Sequence, residues 1–415
     1  MRKAKVLIGV GIVAVVTYGG FEYFRPAPEV IVYGLTGGIE ERIQPQKTVQ
    51  DRIADAYQRS QNVKGVYMTA AVANDQGKPA TFLRDQIVDL LETTELNGVV
   101  IDVKETGGAE MTPHLKPFVE ILKQKNVWVI ARVAAFRDDS QVAARPEYYL
   151  KRPGGRIWRD NNGHAWMDPM SPGARVYIAD FSKEVIDAGF DELQFDYIRF
   201  PSDGDTDNIV YPDYRPTTTP KYVALRDFFS YAHDTVKGYK PEIILSADLF
   251  GYAAIEPEDL GIGQRLADIG NHFDYISLML YPSHFYSGFY VPADSLRDLP
   301  AVSLPSRAES SRDTAPAHPG DVVLRSLYSA SDVLAGVYRL AAASSSRALE
   351  QPIASNAKLR PWLQDFNLGV DTSRGIIYDA KAVRAEIDAA EKAGASGWLL
   401  WNASNVYTAA ALKPK

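Results

Sequence analysis

The sequence predicts a (β/α)8 barrel, and three observations lead there. Eight short apolar runs recur between residues 65 and 401, with amphipathic stretches of helical period between them. The polar residues within several of these runs fall on alternate positions and end at the C-terminal tip, as lumen-facing side chains of a barrel do. No Gly-rich turn follows the first run, which counts against a doubly wound dinucleotide-binding sheet.

The expected strands are Gly65–Ala71, Gly98–Val103, Val127–Ala134, Glu192–Tyr197, Ile243–Ala247, Tyr275–Leu280, Arg360–Gln364 and Gly397–Trp401. Each is short, apolar and rich in β-branched or aromatic residues. The helical patterns between them are Phe82–Glu95, Leu115–Lys125, Ala174–Ala188 after a Ser171-Pro172 start, Lys221–Lys237 and Ala380–Ala393. Two connections are longer than the pattern needs. Residues 137–170 carry Trp158, His164 and Trp166 among many Arg and Asp. Residues 285–358 include Ser303–Gly320, whose Ser, Ala, Pro and charge content predicts disorder. In a barrel both connections lie on the C-terminal face, where active sites are built.

The fold is expected to begin at residue 63, giving a barrel domain over 63–415. Arg2, Lys3 and Lys5 precede a run without charge, Val6–Phe21. A basic head before an apolar stretch reads as a signal anchor or signal peptide over residues 1–24. As a helix the run spans roughly 24 Å, and no Ala-x-Ala box follows it. An uncleaved single-pass anchor is therefore preferred, with the remainder outside the cytoplasm; a cleaved, secreted or periplasmic form is the alternative. Residues 25–62, with their Pro and Gly, read as a stalk or lead-in.

Composition narrows the chemistry. Of 415 residues 46% are apolar and 23% charged, which fits a globular chain and excludes a disordered or polytopic one. The net charge of −7 argues against a nucleic-acid partner. There is no cysteine, so disulfides, thiolate metal sites and cysteine nucleophiles are excluded. The six His lack the spacing of a zinc site, and there is no Gly-x-Ser-x-Gly elbow or P-loop. No metal and no cofactor are expected.

What remains is a set of carboxylates, cations and aromatics at strand ends. In Asp191–Pro201 the parity places Glu192, Gln194 and Asp196 on the lumen face, with Asp196 last. In Ile243–Asp248 the same parity ends on Asp248. Asp102 and Lys104 share a face of the second strand, and Arg132 is a charge inside the third that pairs with Asp102 or Asp196. Tyr281 and His284 end the sixth strand; Trp401 and Asn402 end the eighth. Each has a plain alternative: an ion pair for Asp196, a helix cap for Asp248, core packing for the aromatics. Two carboxylates flanking a sugar bond are the minimum for glycoside hydrolysis. Asp196 is expected to be nucleophile or base, kept ionised by Arg199. Asp248, in a less polar setting, is the expected general acid, with Glu105, Asp102 or Asp365 as alternatives. Trp158, Trp166, Tyr281 and Trp401 are expected to line a sugar-stacking groove.

The segments FDELQFDYIRFPSDG, SADLFGY, IGQRLADIGNHFDYISLMLYPSHF, LRPWLQDF and GWLLWNASNVYT closely resemble a bacterial family of glycosyl hydrolase-type domains of unknown function. The resemblance runs from about Gly65 to Tyr407. It implies a TIM barrel akin to glycoside hydrolases, and it adds Trp362 and Gln364 to the substrate-binding residues Asp102, Lys104, Arg132, Trp158, Trp166, Gln194, Arg199, Tyr281, His284, Trp401 and Asn402. The expected function is hydrolysis of a cell-wall or extracellular polysaccharide. A non-catalytic carbohydrate-binding or scaffolding barrel at the cell envelope is the alternative.

Overall fold

Eight parallel strands close on themselves. In the computed structural model, which describes residues 47–309, 311–338 and 352–415, they are β1 (Val63–Met68), β2 (Gly98–Glu105), β3 (Trp128–Ala134), β4 (Glu192–Asp196), β5 (Ile244–Phe250), β6 (Tyr275–Met279), β7 (Trp362–Gln364) and β8 (Gly397–Trp401). Neighbours in sequence are neighbours in space, and β8 returns to pair with β1. Closure brings the two backbones close: Gly397 has φ +90°, and a Cβ there would lie 2.0 Å from the Val63 carbonyl oxygen. Only glycine meets both demands.

The helical slots carry α1 (Val49–Ser60), α2 (Lys78–Thr93), α3 (Leu115–Gln124), α4 (Pro172–Asp187), α5 (Lys221–Tyr239), α6 (Pro319–Leu334) and α7 (Ala380–Lys392). Their starts follow capping chemistry. Ser171 accepts from the Ala174 N–H ahead of Pro172, and Asp379 accepts from the Lys381 and Ala382 N–H groups. The outward side chains of the strands, among them Val99, Ile101, Val133, Leu193, Phe195, Leu245 and Ile276, join the helices in the main hydrophobic core.

The lumen is layered. At its N-terminal end Glu192 and Arg360 form an ion pair at 2.8 Å with no solvent exposure. Trp128 Nε1 donates to Glu192 at 2.8 Å, and Arg360 donates to the Ser60 carbonyl at 2.8 Å. Helix α1 thus ends as the floor of the barrel, with Ser60 Oγ bonded to the Tyr275 hydroxyl. The lead-in expected up to residue 62 therefore contains a helix of the barrel unit, which spans Val49–Lys415. Gln194, Ser246 and Ser277 occupy the middle layer, and Asp102, Arg132, Asp196 and Asp248 the top.

Ser303–Gly320, whose composition predicts disorder, lies beside regular structure among the described residues. Phe289–Val291 pairs antiparallel with Val302–Leu304, and α6 follows from Pro319. Polar residues do the tying. Arg297 bridges Asp294 and Asp332, and Arg325, buried, donates to the carbonyls of Pro292 and Pro300. Composition registers the polarity and misses the pairing. The run Val6–Phe21 lies outside the described residues; no helix among the described residues is long and apolar enough to cross a membrane.

Candidate active site

One guanidinium organises the C-terminal mouth. Arg132, inward from β3, donates to Asp102 of β2 at 2.6 Å and to Asp196 of β4, and its Nε lies 3.5 Å from Asp248 of β5. Alternation along four adjacent strands supplies this geometry, because each residue lies in the inward series toward the C-terminal end of its strand. Tyr67 of β1 donates its hydroxyl to the other oxygen of Asp102. The Tyr197 N–H donates to Asp196 at 2.5 Å. Tyr197 has φ +52°, a strained value for an aromatic residue, placed beside the carboxylate that it fixes.

The expected inward placement of Gln194, Asp196 and Asp248 holds, and so does the pairing of Arg132. The partner of Asp196 differs from expectation. Arg199 is buried between the rings of Trp166 and Phe250, at 4.8 and 4.6 Å, and bonds the Phe200 carbonyl and Ser202 Oγ. The cation paired with Asp196 is Arg132. Lys104 also leaves the site. The register shifts between Asp102 and Lys104, so the alternation breaks, and Lys104 turns to a fully buried ion pair with Asp138 at 2.6 Å.

Asp248 combines the expected electrostatics with a different access. Burial pushes its carboxyl well above the usual range, helped by the charge of Asp196. Yet its residue is only 1% exposed, and Trp362 Nε1 donates to Oδ1 at 2.7 Å. A proton donor must touch the leaving oxygen, and this side chain is sealed under Arg132. Among the described residues Asp248 Oδ2, Gln194 Oε1 and Ser246 Oγ have no hydrogen-bond partner. Arg132 keeps 16% of its side chain exposed and forms the floor that a ligand would meet.

The aromatics divide. Trp158 and Trp166, expected in a groove, are 0% and 1% exposed. Their indole N–H groups are satisfied internally, on the Asp205 carbonyl at 2.8 Å and Asp160 at 3.0 Å. The 137–170 connection folds around them and joins the main hydrophobic core through Tyr149, Leu150 and Met167. Trp362 is likewise inside, edge-on to Tyr67 at 6.3 Å, and Tyr281 is buried beside it. Gln364 is buried with its amide on Ser283 and the Phe366 carbonyl. Asn402 is half-buried and closes its own turn through Ser404, Val406 and Asp365. Trp401 and His284 remain partly open. They share a cavity of about 580 Å³ with Phe366, Asn402 and Val406, and His284 also borders a second of about 210 Å³ with Phe250, Met279 and Tyr286. Burial, and then Arg307, lower His284 to about 4, so it is neutral at pH 7.

Sequence reasoning missed Tyr67 and Phe366. Tyr67 is legible as the last inward position of β1; Phe366 lies in a loop where no period helps. Among the described residues no three His, Asp or Glu side chains converge as metal ligands do; the three Asp converge on Arg132.

Residues 65–407 match the family described as "Putative glycosyl hydrolase domain". The chain belongs to that family. No curated protein matches it. Among solved structures it is similar to the glycoside hydrolase domain of PgaB (BpsB) from Bordetella bronchiseptica. That likeness has 14% identity over 83% of this chain and 94% of that one, with a TM-score of 0.53. It is also similar to the glycoside hydrolase domain of PelA from Pseudomonas aeruginosa, at 12% identity over 83% and 96% with a TM-score of 0.40. A third is the spore cortex-lytic enzyme SleL from Bacillus megaterium, at 12% over 91% and 76% with a TM-score of 0.45. The first supports the barrel fold of this member of the glycosyl hydrolase domain family.

Proposed function

We propose that this member of the glycosyl hydrolase domain family hydrolyses a cell-wall or extracellular polysaccharide. The observation that carries the reading is Asp196, paired with Arg132 at the C-terminal mouth of the barrel and oriented by the Tyr197 N–H. Asp196 acts as nucleophile toward C1 or as base toward the attacking water. Asp248, kept near neutrality by burial, leaves Arg132 to Asp102 and Asp196. Trp401, His284 and Phe366 offer apolar faces to sugar rings along one rim, worth about 1 kcal/mol each by analogy with other aromatic contacts. In this reading the charge-free run Val6–Phe21 after Arg2, Lys3 and Lys5 holds the enzyme at the membrane with the barrel outside the cytoplasm.

The test is release of reducing ends from a panel of glucans, galactans and amino-sugar polymers. Turnover of at least one supports the reading. Retention of a polymer by the folded protein without any cleavage would replace it with the non-catalytic binding barrel.

A further inference from the structure

With Asp248 sealed, the proton donor must be found elsewhere at the mouth. We propose that Glu105, the last residue of β2, is the general acid of the glycosidic cleavage, and that Asp248 is a positioning residue. The inference rests on the glycoside hydrolase reading above.

Glu105 is half-buried, whereas Asp102, Asp196 and Asp248 are all 6% exposed or less. It sits where β2 turns back through Gly108, so its carboxyl is held at the rim. That carboxyl lies beside Asp102, whose charge acts on it. Asp102 already receives Tyr67 on one oxygen and Arg132 on the other. Among the described residues Glu105 has no ion-pair partner, whereas Asp102 is paired with Arg132. Burial and the neighbouring Asp102 both push Glu105 upward, as a donor at neutral pH needs. Asp365, another acid near the mouth, is 3% exposed and has its oxygens on the Thr408 N–H and hydroxyl.

In the step, Glu105 gives its proton to the glycosidic oxygen as the C1–O bond breaks and the electron pair moves to that oxygen. Asp196 bonds to C1, or takes a proton from the water whose oxygen bonds to C1. On the first route a water then gives a proton to Glu105 as its oxygen bonds to C1 and the C1–Asp196 bond breaks, the electron pair returning to Asp196. On the second Asp196 releases its proton to solvent and Glu105 takes one up, so either way one water is consumed.

The experiment compares wild type, Glu105→Gln, Asp248→Asn and Asp196→Asn on phenyl and 2,4-dinitrophenyl glycosides of glucose, galactose and N-acetylglucosamine in both anomeric forms. Dinitrophenolate leaves without protonation; phenolate does not. Glu105→Gln is expected to widen the dinitrophenyl-to-phenyl rate ratio by about a hundredfold or more and to lose the alkaline limb of the kcat/KM profile. Asp196→Asn slows both substrates alike. Equal losses on both substrates for Glu105→Gln, or a widened ratio in Asp248→Asn instead, would overturn the assignment while leaving the hydrolase reading intact. Absence of wild-type turnover on every glycoside overturns that reading and this inference with it. Should Glu105→Gln fail to fold, Glu105→Asp takes its place, with a smaller widening expected. The infrared spectrum adds an independent check. The difference between the wild-type and Glu105→Gln spectra at pH 7 must contain a protonated-carboxyl band, the contribution of the buried Asp248 cancelling between them, and a difference spectrum without that band overturns the proposal whatever the rates.

Discussion

Arg132→Leu leaves three carboxyl groups around a side chain that no longer carries charge. In the structure that guanidinium sits 2.6 Å from Asp102, in contact with Asp196 and 3.5 Å from Asp248. Removing one partner from a buried ion pair costs about 3–5 kcal/mol, because the remaining charge stays buried without compensation. One cation here serves two close carboxylates, so the upper half of that range is expected, about 4 kcal/mol from urea unfolding at pH 7. Buried carboxylates left without a cation lower their cost only by taking up protons. The destabilisation should therefore be larger at pH 8 than at pH 5. Adding Asp102→Asn and Asp196→Asn to Arg132→Leu should recover about half of the loss, since the charges go together with their cation. A loss below about 1 kcal/mol, or one that does not change with pH, would refute the reasoning that Arg132 neutralises the mouth.

Lys104→Met should cost about 3–5 kcal/mol by leaving Asp138 buried without its cation, while kcat/KM per folded molecule stays within about twofold; a larger kinetic effect would return Lys104 to the site. Trp362→Phe removes the donor on Asp248 Oδ1 and should lower stability by about 1–3 kcal/mol in thermal melts. His284 gives an acid-limb prediction. Its folded value is depressed to about 4, chiefly by burial, so below about pH 6.5 the unfolded chain binds a proton that the folded chain resists. Its contribution is lost as pH falls from 6.5 to 4, at most about 3 kcal/mol, and His284→Phe should flatten unfolding free energy against pH across that window.

Where a strand is regular, sequence parity located the side chains. Glu192, Gln194 and Asp196 alternate without interruption, and all three face the lumen. The same reasoning failed at Lys104 because a register shift after Asp102 reverses the alternation, and a single extra residue leaves no mark in composition. It failed at Arg199 because the strand ends at Asp196 and Tyr197 takes a positive φ, so adjacency in sequence no longer measures distance to the carboxylate. Trp158 and Trp166 are the same residue types a sugar platform would use; what decides between platform and core is an internal acceptor for each indole N–H, supplied by residues far along the chain or across a turn. Arg132 was legible as a charge within a strand, but its role as the shared partner of three strands needed the closed barrel.

The most direct test of the central claim is the specific rate of Asp196→Asn on a polysaccharide that the wild type cleaves, with melts confirming the fold. The amide fills the same space beside Arg132 and Tyr197 but cannot attack C1 or accept a proton. A fall of about a thousandfold or more with the fold retained is the predicted result. Turnover within tenfold of wild type would contradict the assignment of Asp196, and with it the placement of the chemistry at this mouth.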